Sequence, residues 1–183
     1  NTLMGVEKEL SEENLVIADG EKVLAIGGVV GGLESGVREH TKSVLLEGAY
    51  FEPFRIRRST KSLGVQTESS YRFERNVDIQ SLNKHQDRAV GLILQLAGGE
   101  VRAVKDIYPQ PYEPKRIFLS FGKFKRYAGE ELDPEGGLKV LQKLGFDVRV
   151  QNCGLEVLVP AFRSFDVQGD ADIVEELLRV KGY

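Results

Sequence analysis

Short apolar runs set between glycines and charges dominate the first half of the chain. Val23-Leu24-Ala25-Ile26 and Val44-Leu45-Leu46 are bounded in this way and read as buried strands. Between them, Gly27-Gly28-Val29-Val30-Gly31-Gly32 holds four glycines in six positions, which permits positive φ or very close backbone approach. Leu82, Ala89, Ile93 and Leu96 share one helical face, with Gly98-Gly99 as the stop, and 100–107 reads as a further strand. In the second half, Ile117-Phe118-Leu119 suggests a strand and 121–127 a short helix. Asp133-Pro134 then offers an N-cap and a proline at the first helical position, ahead of Leu138, Leu141 and Leu144. Phe146, Val148 and Val150 alternate, Gln151-Asn152-Cys153-Gly154 turns the chain, and Leu155, Val157 and Val159 alternate on the return. A last helix is expected over about 170–181. Short helix, second helix and hairpin is the order of a winged-helix-like module.

Three of the six prolines fall within 109–114, and each pushes its predecessor towards extended geometry. Residues 108–114 therefore read as a stiff linker between a domain over 1–107 and a smaller one over 115–183. The fold class expected is α+β: a mixed-sheet portion followed by a small winged-helix-like α/β module. A length of 183 residues suits two such domains, and 41% hydrophobic with 29% charged residues argues against disorder. No apolar run approaches the roughly 20 residues that span a bilayer, and no signal-peptide pattern opens the chain. The single cysteine, Cys153, can form no internal disulfide, so a cytoplasmic location is expected. Because the chain opens on Asn1 and stops at Tyr183 directly after a helical pattern, it also reads as part of a longer polypeptide.

Several chemistries are excluded. There is no Walker loop, cysteines are too few for zinc, and His40 and His85 flank no motif. The glycine cluster could cradle phosphate, but it lacks GxGxxG spacing and the lysine of a P-loop, so a tight turn where backbone crowds backbone is the better reading. Residues 38–75 carry eight Lys or Arg against five Glu, with Arg55, Arg57, Arg58, Lys61, Arg72 and Arg75 interleaved with Phe54, Tyr71 and Phe73. Such mixing suits RNA backbone contact with base stacking, and it equally suits a solvated face over aromatic core residues. On the last helix Asp172, Glu175 and Glu176 fall at i, i+3 and i+4, with Asp166 six residues earlier. A hard cation such as Mg²⁺ would relieve their repulsion; acidic residues also simply favour a helix N-terminus.

The strings themselves resemble a known family. Val23-Leu-Ala-Ile-Gly-Gly-Val-Val-Gly-Gly-Leu-Glu-Ser35, Val44-Leu-Leu-Glu-Gly-Ala-Tyr-Phe51, Thr67-Glu-Ser-Ser-Tyr-Arg-Phe-Glu-Arg75 and Leu96-Ala-Gly-Gly-Glu100 are similar to the bacterial phenylalanyl-tRNA synthetase β subunit family. Val159-Pro-Ala-Phe-Arg163 and Asp172-Ile-Val-Glu-Glu-Leu-Leu-Arg-Val-Lys-Gly-Tyr183 extend the likeness through the second domain.

The resemblance implies part of an editing domain that hydrolyses tyrosine wrongly attached to the phenylalanine tRNA, followed by a largely architectural domain. Editing is needed because an apolar pocket only weakly rejects an added hydroxyl. It implies that Glu47 accepts the tyrosine phenol, that Thr67 lies near the ester as the catalytic position, and that Gly31 keeps the pocket open. Ser69 stands in the same pocket where many members carry alanine, so its hydroxyl needs a partner. The family's editing domain begins upstream of Asn1 and draws a further histidine and arginine from there, so weak or no hydrolysis is expected of this stretch alone.

The resemblance further implies Mg²⁺ held by Asp166, Asp172, Glu175 and Glu176 at the contact with a catalytic α subunit. The parent is expected to be a heterotetramer of two α and two β subunits that uses ATP to join phenylalanine to its tRNA. Two other readings stand beside it, a nucleic-acid-binding module and a pure scaffold. Against the former, residues 154–183 carry six acidic and three basic groups.

Overall fold

The computed structural model describes residues 1–182, and the chain divides into two compact units, Asn1–Val104 and Lys105–Tyr183. Tyr183, the last residue of the family-like string, lies outside the described residues. Mixed helices and small antiparallel sheets make both units α+β, as expected.

In the first unit, β1 (Val16–Ala18), β2 (Val23–Ile26) and β3 (Val30–Gly31) form an antiparallel sheet in that order, with Val16 opposite Ile26 and Ala25 opposite Gly31. The glycine cluster is the tight connection from β2 into β3. Gly28 sits at φ 68° with Phe51 and Ile56 packed where a Cβ would stand, so a side chain is excluded there both by conformation and by space.

Helix α1 (Pro53–Leu63) starts on Glu52, whose carboxylate accepts from the Phe54 and Arg55 N–H groups, and ends at Gly64 in the left-handed region. Helices α2 (Glu68–Phe73) and α3 (Leu82–Ala97) follow. Ile26, Val29, Ile56, Leu63 and Val65 form the buried core, against which Phe51 and Phe73 meet edge to face at 5.0 Å.

Two strand expectations fail here. Residues 44–46 and 100–107 have no regular secondary structure and lie in no sheet, and Leu45 and Val104 are 93% and 85% exposed. An apolar run becomes a strand only beside another edge, and among the described residues neither run has one. Helices α1 and α2 were not anticipated. Only Ile56, Ser59 and Leu63 of α1 are buried, too narrow a stripe to show through five basic or hydroxyl neighbours in the run Arg57–Ser62.

The second unit matches the pattern closely. β4 (Arg116–Ser120), β5 (Asp147–Gln151) and β6 (Gly154–Leu158) form an antiparallel sheet in the order β4-β6-β5. β5 and β6 are the expected hairpin, with Val148 opposite Val157 and Val150 opposite Leu155. Gly154 is obligatory at the turn, since a Cβ would lie 2.3 Å from the Leu119 carbonyl oxygen. Helices α4 (Phe121–Ala128), α5 (Pro134–Lys143) and α6 (Asp170–Lys181) stand where the spacing put them, α5 with Asp133 as its cap and Pro134 at its first position.

Leu119, Phe124, Leu141, Leu155, Val157 and Ile173 are among the buried residues that seal the helices to the sheet. In the proline-rich stretch, the Tyr112 hydroxyl donates to the Val159 carbonyl at 3.1 Å, which ties that stretch to the end of β6.

Candidate functional site

Thr67, the expected catalytic position, is the N-cap of α2. Its Oγ1 accepts from the Ser70 N–H at 3.1 Å while the Ser70 hydroxyl accepts from the Thr67 N–H at 2.9 Å, a reciprocal capping box. The Thr67 hydroxyl proton goes to the Val29 carbonyl at 2.6 Å. The Ser69 hydroxyl donates to the Gly28 carbonyl at 3.2 Å, so the polar group that replaces alanine finds its partner on the glycine loop. Both hydroxyls thus brace the start of α2 against Gly28 and Val29.

Gly31 lies two residues further on, in β3. With Gly32, Ile26, Leu10, Lys8 and Thr2 it lines a cavity of about 110 Å³, and the Leu3 side chain reaches 2.7 Å from where a Gly31 Cβ would stand. Glu47, Thr67 and Ser69 do not line this cavity.

Glu47 stands in the irregular segment after Leu46, whose carbonyl accepts from Gln86 Nε2 at 3.0 Å. Gly48 packs against Gln86 and Leu82, so α3 moors both neighbours of Glu47. Among the described residues the Glu47 carboxylate has no hydrogen-bond or ion-pair partner, and partial desolvation raises its pKa above the usual carboxylate value. A carboxylate in that condition is a hydrogen-bond acceptor with free capacity. The structure therefore joins Thr67 and Ser69 to one loop, sets Gly31 in the adjoining strand, and leaves Glu47 on a separate segment.

The basic, aromatic stretch is largely self-paired. Arg72 meets Glu68 at 2.7 Å, Arg58 meets Glu13, Arg55 lies 3.9 Å from Glu52, and Arg57 donates to the Glu74 carbonyl. Arg75 lies over the Tyr71 ring at 3.7 Å. Phe73 belongs beside the core, while Phe54 and Tyr71 are exposed.

The four carboxylates of the last helix and its approach are each already engaged or exposed. Asp166 accepts from Arg163 Nε through both oxygens, at 3.1 and 2.9 Å. Asp172 Oδ2 accepts from the Gln168 and Gly169 N–H groups at 2.7 and 2.8 Å and so caps α6. Glu175 is exposed. Glu176 is 5% exposed, and Arg163 grips it with Nη1 and Nη2 at 3.0 and 2.8 Å. Arg179 adds a second fork through Nε at 2.9 Å and Nη2. The Arg163 and Arg179 guanidiniums hold the Glu176 carboxyl down at about 2, and the Arg163 pKa is raised in return.

Among the described residues no three His, Cys, Asp or Glu side chains converge as a metal would require. As placed, this donor set does not fit a Mg²⁺ ion. Arg163 and Arg179 are the functional partners that the sequence reading missed. The i, i+3 spacing of Glu176 and Arg179 was a visible signal for one of them.

With this geometry in hand, comparison with known proteins places the chain. Residues 117–183, the hairpin-and-helix unit, match the family model described as the tRNA synthetase B5 domain. Residues 1–98, more than half of the chain, match the B3/4 domain model, and the chain belongs to that family. It is 58% identical over 182 residues to the phenylalanine–tRNA ligase beta subunit of Aquifex aeolicus (strain VF5), covering 100% of this chain and 24% of that protein. The same subunit of Thermotoga maritima is 44% identical over 178 residues, covering 97% of this chain and 22% of that protein. For Carboxydothermus hydrogenoformans the identity is 40% over 183 residues, with 100% and 23% covered.

The resemblance to the phenylalanyl-tRNA synthetase β subunit is thereby borne out along the whole chain. The chain spans about a quarter of the length of the curated relatives it matches.

Proposed function

We propose that the first unit forms part of a site that hydrolyses tyrosine from mischarged phenylalanine tRNA, within the β subunit of a phenylalanine–tRNA ligase. The observation that carries this reading is Glu47, an exposed carboxylate without a partner among the described residues, on a backbone moored by α3. A tyrosine phenol can donate to this free acceptor, while phenylalanine offers it no donor. That difference reverses the preference of an apolar pocket.

Thr67 and Ser69 support the reading from the other side, because their hydroxyls fix the glycine loop and the start of α2 as one rigid edge. On this reading Thr67 positions that edge near the ester. Gly31 lines the adjoining cavity, where a side chain would intrude on the space.

The second unit serves as a scaffold that meets an α subunit, in an assembly that binds the phenylalanine tRNA and uses ATP on the α side. Direct nucleic-acid binding by this unit is disfavoured by the acidic balance of residues 154–183.

The test is hydrolysis of tyrosyl-tRNA for phenylalanine by the chain and by Glu47→Ala. Activity that falls in the variant supports a phenol-reading Glu47; equal activity in both sinks that role. If neither hydrolyses, the same substitution in a complete β subunit paired with its α subunit decides the question.

A further inference from the structure

The corner of the second unit where the resemblance expects a cation carries its own positive charge. Each Glu176 oxygen already accepts two guanidinium N–H groups, one from Arg163 and one from Arg179. Asp166 spends both oxygens on Arg163, which also approaches it through Nη2 at 2.8 Å. Asp172 is committed to two backbone N–H groups at the start of α6. Two of the four carboxylates, Asp166 and Glu176, are thus paired with the guanidiniums of Arg163 and Arg179, so the repulsion that would recruit a divalent ion is reduced. Magnesium demands near-octahedral oxygen ligation, and a Glu176 oxygen that already accepts two N–H groups has no lone pair left to give it.

We propose that Arg163, seconded by Arg179, takes the place of a metal here: it locks the turn after β6 onto α6 and makes the unit independent of divalent cations. Arg163 is suited to this by position. It lies in the 3₁₀ turn Ala161–Arg163 and reaches Glu176 on α6, and its guanidinium lies 5.7 Å from the centre of the Phe146 ring, at the entry to β5. One planar fork thus ties three stretches that are distant in sequence. A lysine could not, since its ammonium is a single point of charge. Removing Arg163 leaves Glu176 nearly buried with only Arg179 to pair it, a costly state for a carboxylate.

The experiment is thermal unfolding of the full 183-residue chain, followed by circular dichroism, in about 10 mM MgCl₂ and in EDTA. The expected result is the same Tm in both for the parent, and a Tm lower by several degrees for Arg163→Gln. Arg163→Lys should recover only part of the loss. A parent Tm several degrees higher in MgCl₂ overturns the proposal, because a bound ion would then contribute to the fold. Arg163→Gln as stable as the parent overturns it as well. Should Arg163→Gln fail to fold, the parent comparison and Arg163→Lys still decide, full recovery by lysine counting against the fork.

Discussion

Thr67 shows how one side chain serves both local structure and site. It caps α2 and, through the same oxygen, fastens that helix to the Val29 carbonyl. Thr67→Val keeps the shape and loses both bonds, and we expect a loss of about 1–2 kcal/mol in urea unfolding. Ser69→Ala removes one exposed bond at 3.2 Å and should change stability by less than about 0.5 kcal/mol. At Glu176 the folded carboxyl titrates at about 2, below the ordinary 4.5. A lowered carboxylate pKa gives stability that is complete above the ordinary value and is lost as pH falls through the folded one. The second unit should therefore hold from neutral pH to about 4.5 and weaken as pH falls towards 2. Circular dichroism against pH checks this, and Arg163→Lys should move the acid transition upwards.

At the scale of elements, the sequence was most readable where segments close on themselves. In the second unit, alternation in Phe146–Val150 and Leu155–Val159, with the capped α5, described a sheet and helices that complete one core. Leu141 is the fully buried contact of α5, and Leu141→Ala should cost about 2–5 kcal/mol by chemical denaturation. In the first unit the same alphabet misled. Val44-Leu45-Leu46 has strand composition, but composition carries no information about whether an edge stands beside it.

The candidate site divides along the same line. The acidic spacing on α6 was plain, yet Arg163, which pairs with Glu176, stands 13 residues from it and is joined to it only by the fold. Likewise, twenty positions separate Glu47 from Thr67, and nothing in that interval tells how far apart the two side chains stand.

Over the whole molecule, the cores are unequal. Among the described residues, thirteen buried apolar residues form the cluster of the second unit and five that of the first, while α3 has no buried residue. Hydrogen exchange should therefore be slowest in β4, β5 and β6 and much faster in β1–β3 and α3. No helix among the described residues is long and apolar enough to cross a membrane, so the exposed apolar surface has no bilayer-spanning helix to account for it. Much of that surface lies on irregular chain. Leu45, Val101, Val104 and Ile107 present apolar side chains on backbone that belongs to no sheet. Exposed apolar surface of this kind promotes self-association, so heating should drive aggregation through these stretches before the larger core of the second unit gives way.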